Sequence, residues 1–236
     1  MIFCFKLIKK YARIARGLLM KIFMEIKFYG HACFSVKNGK FMVVTDPFSD
    51  KIGIKLPDLK ANVVTISHND KAYNNADAIG GSPMVLNWPG EYENNGIHFK
   101  GIHSFHNSRE DKEQLENIIF TFRIDDVRFC HLGAQGTKLT SEQLEHVGEV
   151  DVLFIPVGGK GVVDAKKAKE IIEQIEPRIV IPMVYHTDGS KLGLDSLEPF
   201  LSVMGAKTVE PVDLFEFKKS ELPEDNSKVV VLNVVK

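Results

Sequence analysis

The stretch from Asn62 to Asn75 constrains this chain more than any other. Val63-Val64-Thr65-Ile66 reads as a short buried strand, and it breaks at Ser67 into the polar loop His68-Asn69-Asp70-Lys71-Ala72-Tyr73-Asn74-Asn75. A strand that stops in such a loop sets the end of a sheet and puts two potential metal donors, His68 and Asp70, at that end. The pair alone is weak evidence, because a strand-end histidine held by a backbone carbonyl accounts for it equally well.

The rest of the chain reads as many short strands followed by helices. Met24–Val36 and Phe41–Asp46 flank Asn38-Gly39, a strong hairpin signal. Asn62–Ser67, Pro83–Asn87 and Ile97–Lys100 follow as strands, and Ile118–Ile124 and Val127–Leu132 form a second hairpin around Asp125-Asp126. Thr140-Ser141-Glu142-Gln143 is a capping box that opens a helix to His146. Asp164 caps Ala165–Ile175, whose apolar positions Ala168, Ile171, Ile172 and Ile175 keep helical spacing up to the stop at Pro177. Strands Asp151–Val157 and Arg178–Met183 bracket that helix as a β-α-β unit. A helix over Leu194–Met204 and a last strand over Val229–Val234 complete an α/β chain with two sheets covered by helices.

Seven motifs stand in order along this frame: Tyr29-Gly30-His31-Ala32-Cys33-Phe34, Val44-Thr45-Asp46-Pro47-Phe48, Pro89-Gly90-Glu91-Tyr92-Glu93, Ser104-Phe105-His106, His131-Leu132-Gly133, Ile155-Pro156-Val157-Gly158-Gly159 and Ile181-Pro182-Met183. With the loop at His68 they resemble the metallo-β-lactamase superfamily, in the branch of the ascorbate-phosphate lactonase and uncharacterised Zn-dependent hydrolases, from Met24 to the C-terminus. The resemblance implies a four-layer αββα sandwich.

It also implies a binuclear centre, whose loop pattern H-x-H-x-D-H aims alternate side chains at two metals about 3.5–4 Å apart. At the first metal position this chain offers His68, Asp70 and His106. At the second it has Ala72, Tyr73, Ala134 and Val184. Alanine and valine carry no lone pair, and tyrosine must shed a proton of pKa near 10 to bind a metal. Ala72 stands where the family has the loop Asp that orients water, so the resemblance supplies no catalytic base. The expectation is a pseudoenzyme-like member without its second metal site, holding no metal or a single divalent ion (Zn, Mn or Fe) at the first. The alternative is a mononuclear hydrolase of a phosphoester, lactone or similar ester.

Several neighbouring residues read as scaffold. Asp46 is expected to brace backbone amides beneath the loop, His31 and His131 to be hydrogen-bonded buried histidines, and Cys130 to be a buried thiol. His186 is expected in a loop, Asn117 in scaffold hydrogen bonds, and Trp88 over an edge of the core.

With 236 residues and 44% hydrophobic content, residues 24–236 suffice for one domain with a full core. Three scattered cysteines fit a reducing, cytoplasmic setting. The net charge of −1 hides an asymmetry, because residues 1–23 carry Lys6, Lys9, Lys10, Arg13, Arg16 and Lys21 and no acid. This basic amphipathic extension reads either as a membrane-surface or partner-docking segment, which would make the protein peripheral to the membrane, or as sequence ahead of a true start at Met24. The acidic remainder argues against nucleic acid as a partner. A small-molecule ligand is expected, its identity and the oligomeric state being unspecified by the sequence.

Overall fold

A computed structural model describes residues 23–106 and 115–235. The basic extension therefore lies outside the described residues, apart from Phe23. The strands are Met24–Gly30 (β1), Cys33–Asn38 (β2), Phe41–Thr45 (β3), Leu59–Lys60 (β4), Val63–Thr65 (β5), Ile79–Gly80 (β6), Met84–Leu86 (β7), Gly90–Asn94 (β8), Ile97–Phe105 (β9), Glu116–Ile124 (β10), Val127–His131 (β11), Val152–Pro156 (β12), Ile179–Met183 (β13), Phe215–Phe217 (β14) and Lys228–Val229 (β15). The described α-helices are Ser141–Val147 (α1), Ala165–Ile175 (α2) and Glu198–Val203 (α3).

Two sheets hold almost all of the strands. The first runs β14-β1-β2-β3-β5-β7 and the second β15-β13-β12-β11-β10-β9-β8, with β4 and β6 paired apart. Each sheet is antiparallel on one side and parallel on the other: β3-β5-β7 in the first, and β11-β12-β13-β15 in the second. The sheets pack face to face through aromatic rings. Phe34 of β2 lies 4.7 Å from Phe154 of β12 and 6.3 Å from His131 of β11, between ring centroids. Ala165, Ala168, Ile171, Ile172 and Ile175 form the buried face of α2, the helix that joins parallel neighbours β12 and β13. This is the expected α/β sandwich.

Local chemistry explains the elements that match expectation. Thr140 accepts from the Gln143 backbone while the Gln143 side chain accepts from the Thr140 backbone, closing the capping box of α1. Asp164 accepts from the backbone amides of Lys166 and Lys167 and starts α2.

Three expectations need correction. Met24–Val36 is two strands, because Gly30 (φ 109°) and His31 (φ 55°) turn the chain between β1 and β2. The expected helix over Leu194–Met204 shrinks to Glu198–Val203, with proline in its first turn. The expected last strand over Val229–Val234 pairs as a ladder only at Lys228–Val229, since the segment then divides its hydrogen bonds between the sheets. Val230 donates to Val180 of β13, and Val235 donates to Phe28 of β1.

A buried carboxylate ties the starts of three neighbouring strands together. Asp151 accepts the Arg128 backbone amide at 2.8 Å, takes a fork from the Arg128 guanidinium at 3.0 and 3.0 Å, and meets Arg178 Nε at 3.4 Å. Its side chain is 0% exposed, and its two guanidinium partners are 33% and 40% exposed.

Candidate functional site

The loop after β5 is clamped from below. Asp46, at the end of β3 with φ 39°, is fully buried and accepts from the Ser67 amide through Oδ1 and from the Ser67 hydroxyl through Oδ2, each at 2.6 Å. Burial pushes its carboxyl up to about 7, against the lowering effect of the two Ser67 hydrogen bonds. Asp46 thus braces the loop, as expected. Ser67→Ala should lower stability by about 2 kcal/mol, because a buried carboxylate oxygen would lose its donor. Urea denaturation followed by circular dichroism measures this, and a loss below about 0.5 kcal/mol would refute the brace.

The loop then curls on itself. Asp70 Oδ1 accepts from the Ala72 amide at 2.9 Å, and the Asp70 carbonyl accepts from Tyr73 and Asn74 at 2.8 and 3.0 Å. That turn carries His68 to the end of β9, where its ring lies 4.8 Å from that of His106 with 30° between planes. Both histidines are anchored in the same way. His68 Nδ1 meets the Glu116 carbonyl at 2.6 Å and His106 Nδ1 meets the Ala134 carbonyl at 2.7 Å. A carbonyl can only accept, so Nδ1 carries the proton in each ring, and the neutral ring presents Nε2 as a lone pair. Burial holds His106 below the usual imidazole range, although the Ala134 hydrogen bond works the other way.

His31 is the residue that sequence reasoning placed wrongly in part. It is buried as expected, 4% exposed, but among the described residues neither of its ring nitrogens has a hydrogen-bond partner. Its ring lies 4.5 Å from that of Tyr73, which in turn meets His68 edge-on at 5.4 Å. Burial drives the His31 imidazole down to about 3, with the Asp70 charge acting in the opposite direction. His131, by contrast, is satisfied: Nε2 donates to the Ala32 carbonyl at 3.0 Å, and Nδ1 accepts from the Gly133 amide at 3.2 Å. Asn117 links Ser104, the Leu132 carbonyl and the Ala134 amide, as a scaffold residue should. Cys130 is fully buried, and burial raises its thiol pKa. His186 is exposed in the loop after β13. Trp88 does not cover the core and is 67% exposed.

The positions opposite the histidines are packed apolar wall. Ala72, Tyr73, Ala134 and Val184 are 4%, 5%, 0% and 1% exposed. Burial raises the Tyr73 hydroxyl well above its ordinary value, which opposes the ionised form a metal would need. Val184 has φ 52°, a conformation that a β-branched residue rarely adopts, with its amide donating to the His31 carbonyl at 2.8 Å. Such strain costs roughly 1–3 kcal/mol and gathers at sites where the backbone serves something other than packing.

Tested as donors for the implied metals, the residues divide. His68 and His106 suit an ion, since metal-binding histidines usually give their second N–H to a carbonyl or carboxylate. Among the described residues no three His, Cys, Asp or Glu side chains are arranged to hold an ion, and the second position offers nothing that fits.

Glycines set the back of the site. A Cβ on Gly136 would fall 1.4 Å from the His106 carbonyl oxygen, and one on Gly158 would fall 2.2 Å from the Val184 carbonyl oxygen. The glycine pair at Gly158 therefore permits close loop packing.

A family described as "Beta-lactamase superfamily domain" matches residues 25–184. A UPF0173 protein of Pyrococcus abyssi is 27% identical over 187 residues, covering 70% of this chain and 85% of that one. A UPF0173 metal-dependent hydrolase of Thermococcus onnurineus is 24% identical over 197 residues, with coverage of 70% and 85%. Among solved structures, a candidate Zn-dependent hydrolase of the metallo-beta-lactamase superfamily from Thermotoga maritima superposes with a TM-score of 0.73 at 35% identity, covering 89% of this chain and 98% of that one. The fold of a metallo hydrolase from Ignicoccus hospitalis is also similar, with a TM-score of 0.61 at 18% identity and coverage of 83% and 100%.

Proposed function

Since the chain belongs to the metallo-β-lactamase superfamily, in its branch of metal-dependent hydrolases, we propose that it is a member that has given up the second metal position and with it binuclear hydrolysis. The observation that carries this reading is the burial of Ala72, Tyr73, Ala134 and Val184 as packed wall. A second hard ion brought there would meet methyl groups and a phenol held in its protonated form, with no carboxylate to share a hydroxide between two ions. The strained backbone at Val184 supports the same history, because it keeps a special conformation under a side chain that gains nothing from it.

A second reading is favoured by the carbonyl-anchored imidazoles. His68 and His106 would hold one divalent ion through Nε2, and Asp70 would need to turn from the Ala72 amide to join them. Such an ion would act as a Lewis acid toward an ester, lactone or phosphoester oxygen. What the chain's own residues contribute is fixed tautomers, a dry wall behind the rings, and the Asp46 brace under the loop.

Elemental analysis by plasma mass spectrometry, on untagged protein before and after exposure to zinc, manganese or ferrous iron, should find no more than about one equivalent of metal. One equivalent that disappears in His68→Ala selects the mononuclear reading. Negligible metal selects a metal-free binding protein. Two equivalents would overturn the proposal.

A further inference from the structure

Five large apolar side chains are exposed among the described residues, and three of them, Val85, Trp88 and Leu115, line a single cavity of about 840 Å³ beside His68. Clustered apolar exposure inside a cavity is a feature of binding surfaces. Trp88 is held by its backbone and free at its ring. The Tyr92 hydroxyl donates to the Trp88 carbonyl at 2.9 Å, and the same carbonyl lies so close to Gly101 that a Cβ there would approach it to 2.7 Å. An indole rooted in a fixed stretch of backbone and open at its face offers a stacking surface.

Among the described residues, the carboxylates give the cavity lining one sign of charge. Asp70 and Glu116 face it, and among the described residues no lysine or arginine does. His103 also lines it, with Nε2 at 3.6 Å from Glu116 Oε1. Two carboxylates beside a tryptophan face suit a cation with an apolar body, because ammonium is drawn both by charge and by the ring quadrupole.

We propose that this cavity binds an amphipathic ammonium compound, its aromatic or alkyl part on Trp88 and its cationic group toward Asp70 and Glu116. Carboxylates and phosphate esters of the same shape are the wrong ligands for the metal-free pocket. The proposal needs no metal, and a divalent ion at His68 would reverse the local charge, so the experiment is done without one.

Trp88 is the only tryptophan in the chain, and its emission therefore reports on this cavity alone. The full-length chain, dialysed against EDTA, is titrated with 2-phenylethylamine, and with phenylacetate and 2-phenylethanol as anionic and neutral counterparts. The amine should change the emission saturably, with a Kd at least about tenfold below that of phenylacetate. Asp70→Asn and Glu116→Gln should each weaken the amine roughly threefold or more and leave phenylethanol unchanged. Glu116 is exposed, so its variant tests the charge without risk to folding. Phenylacetate binding as tightly as the amine, or an amine titration with no saturable change, would overturn the proposal. Metal stoichiometry is measured separately, so two bound ions would refute the preceding proposal and leave this one to its own test.

Discussion

Gly136→Ala should cost at least about 3 kcal/mol and pull His106 away from His68. The added methyl would overlap the His106 carbonyl oxygen at 1.4 Å and crowd the Gly161 carbonyl oxygen at 2.7 Å, and neither is the end of a side chain that could swing aside. Relief requires moving the chain at the end of β9, which Gly136 also grips by donating its amide to the Phe105 carbonyl at 3.2 Å. His106 would then lose its registry with the Ala134 carbonyl, and its ring would no longer have a fixed tautomer. Gly96→Ala is the matched control. Nothing lies within 4 Å of that Cβ, and only its φ of 78° penalises alanine, for about 1 kcal/mol. Urea midpoints followed by circular dichroism compare the two. A Gly136→Ala loss no larger than that of the control would show that the site is not packed as described.

Asp151→Ala should cost about 3 kcal/mol. Removing one partner of a buried ion pair typically costs 3–5 kcal/mol, and the lower end applies because both guanidiniums are part-exposed and can turn to water. The backbone amide of Arg128 loses its acceptor as well. Burial works to raise the Asp151 carboxyl, but the Arg128 side-chain and backbone hydrogen bonds, with the charges of Arg128 and Arg178, outweigh it and leave the group below its ordinary value. A carboxyl depressed in the folded state binds fewer protons there than in the unfolded chain, so its stabilisation is complete above the unfolded value of about 4 and is lost as pH falls through the folded one. The gap between the parent chain and Asp151→Asn should therefore be constant from pH 7 to 5 and close under stronger acid. A gap that instead closes between pH 7 and 5 would mean the carboxylate is not held ionised by these arginines.

What the sequence made legible was what local chemistry decides. The capping box at Thr140 and the Asp164 cap depend on groups three residues apart, and α1 and α2 begin where those residues say. The placement of Asp46 under the His68 loop was legible too, through its motif. Long-range geometry was not. Phe215-Glu216-Phe217 is too short to announce a strand, and it becomes β14 only because β1 has an open edge beside it. β8 is a different case, because it pairs with β9 around Asn95-Gly96, a local hairpin signal of the same kind as Asn38-Gly39. The exposure of Trp88 reverses the usual expectation for an indole, and only the path of the β7–β8 connection determines it. His31 sat in a recognised motif, but that its nitrogens find no hydrogen-bond partner among the described residues depends on what packs around its turn, which no local pattern gives. The carbonyls that hold His68 and His106 come from Glu116 and Ala134, 48 and 28 residues away. No spacing rule could have supplied them.

The position of β1 also governs when this protein can fold. Met24, Glu25 and Ile26 pair with Phe217, Glu216 and Phe215, and Phe28 is bridged to Val234. β1 thus acquires its second neighbour only once Phe215–Phe217, far along the chain, has been translated. During synthesis the hairpins β1-β2-β3 and β9-β10-β11 can form from contacts near in sequence, while one side of β1 stays an unpaired apolar edge. A chain released before Phe215 would keep that edge exposed, so premature termination should yield aggregation or degradation rather than a partly working domain.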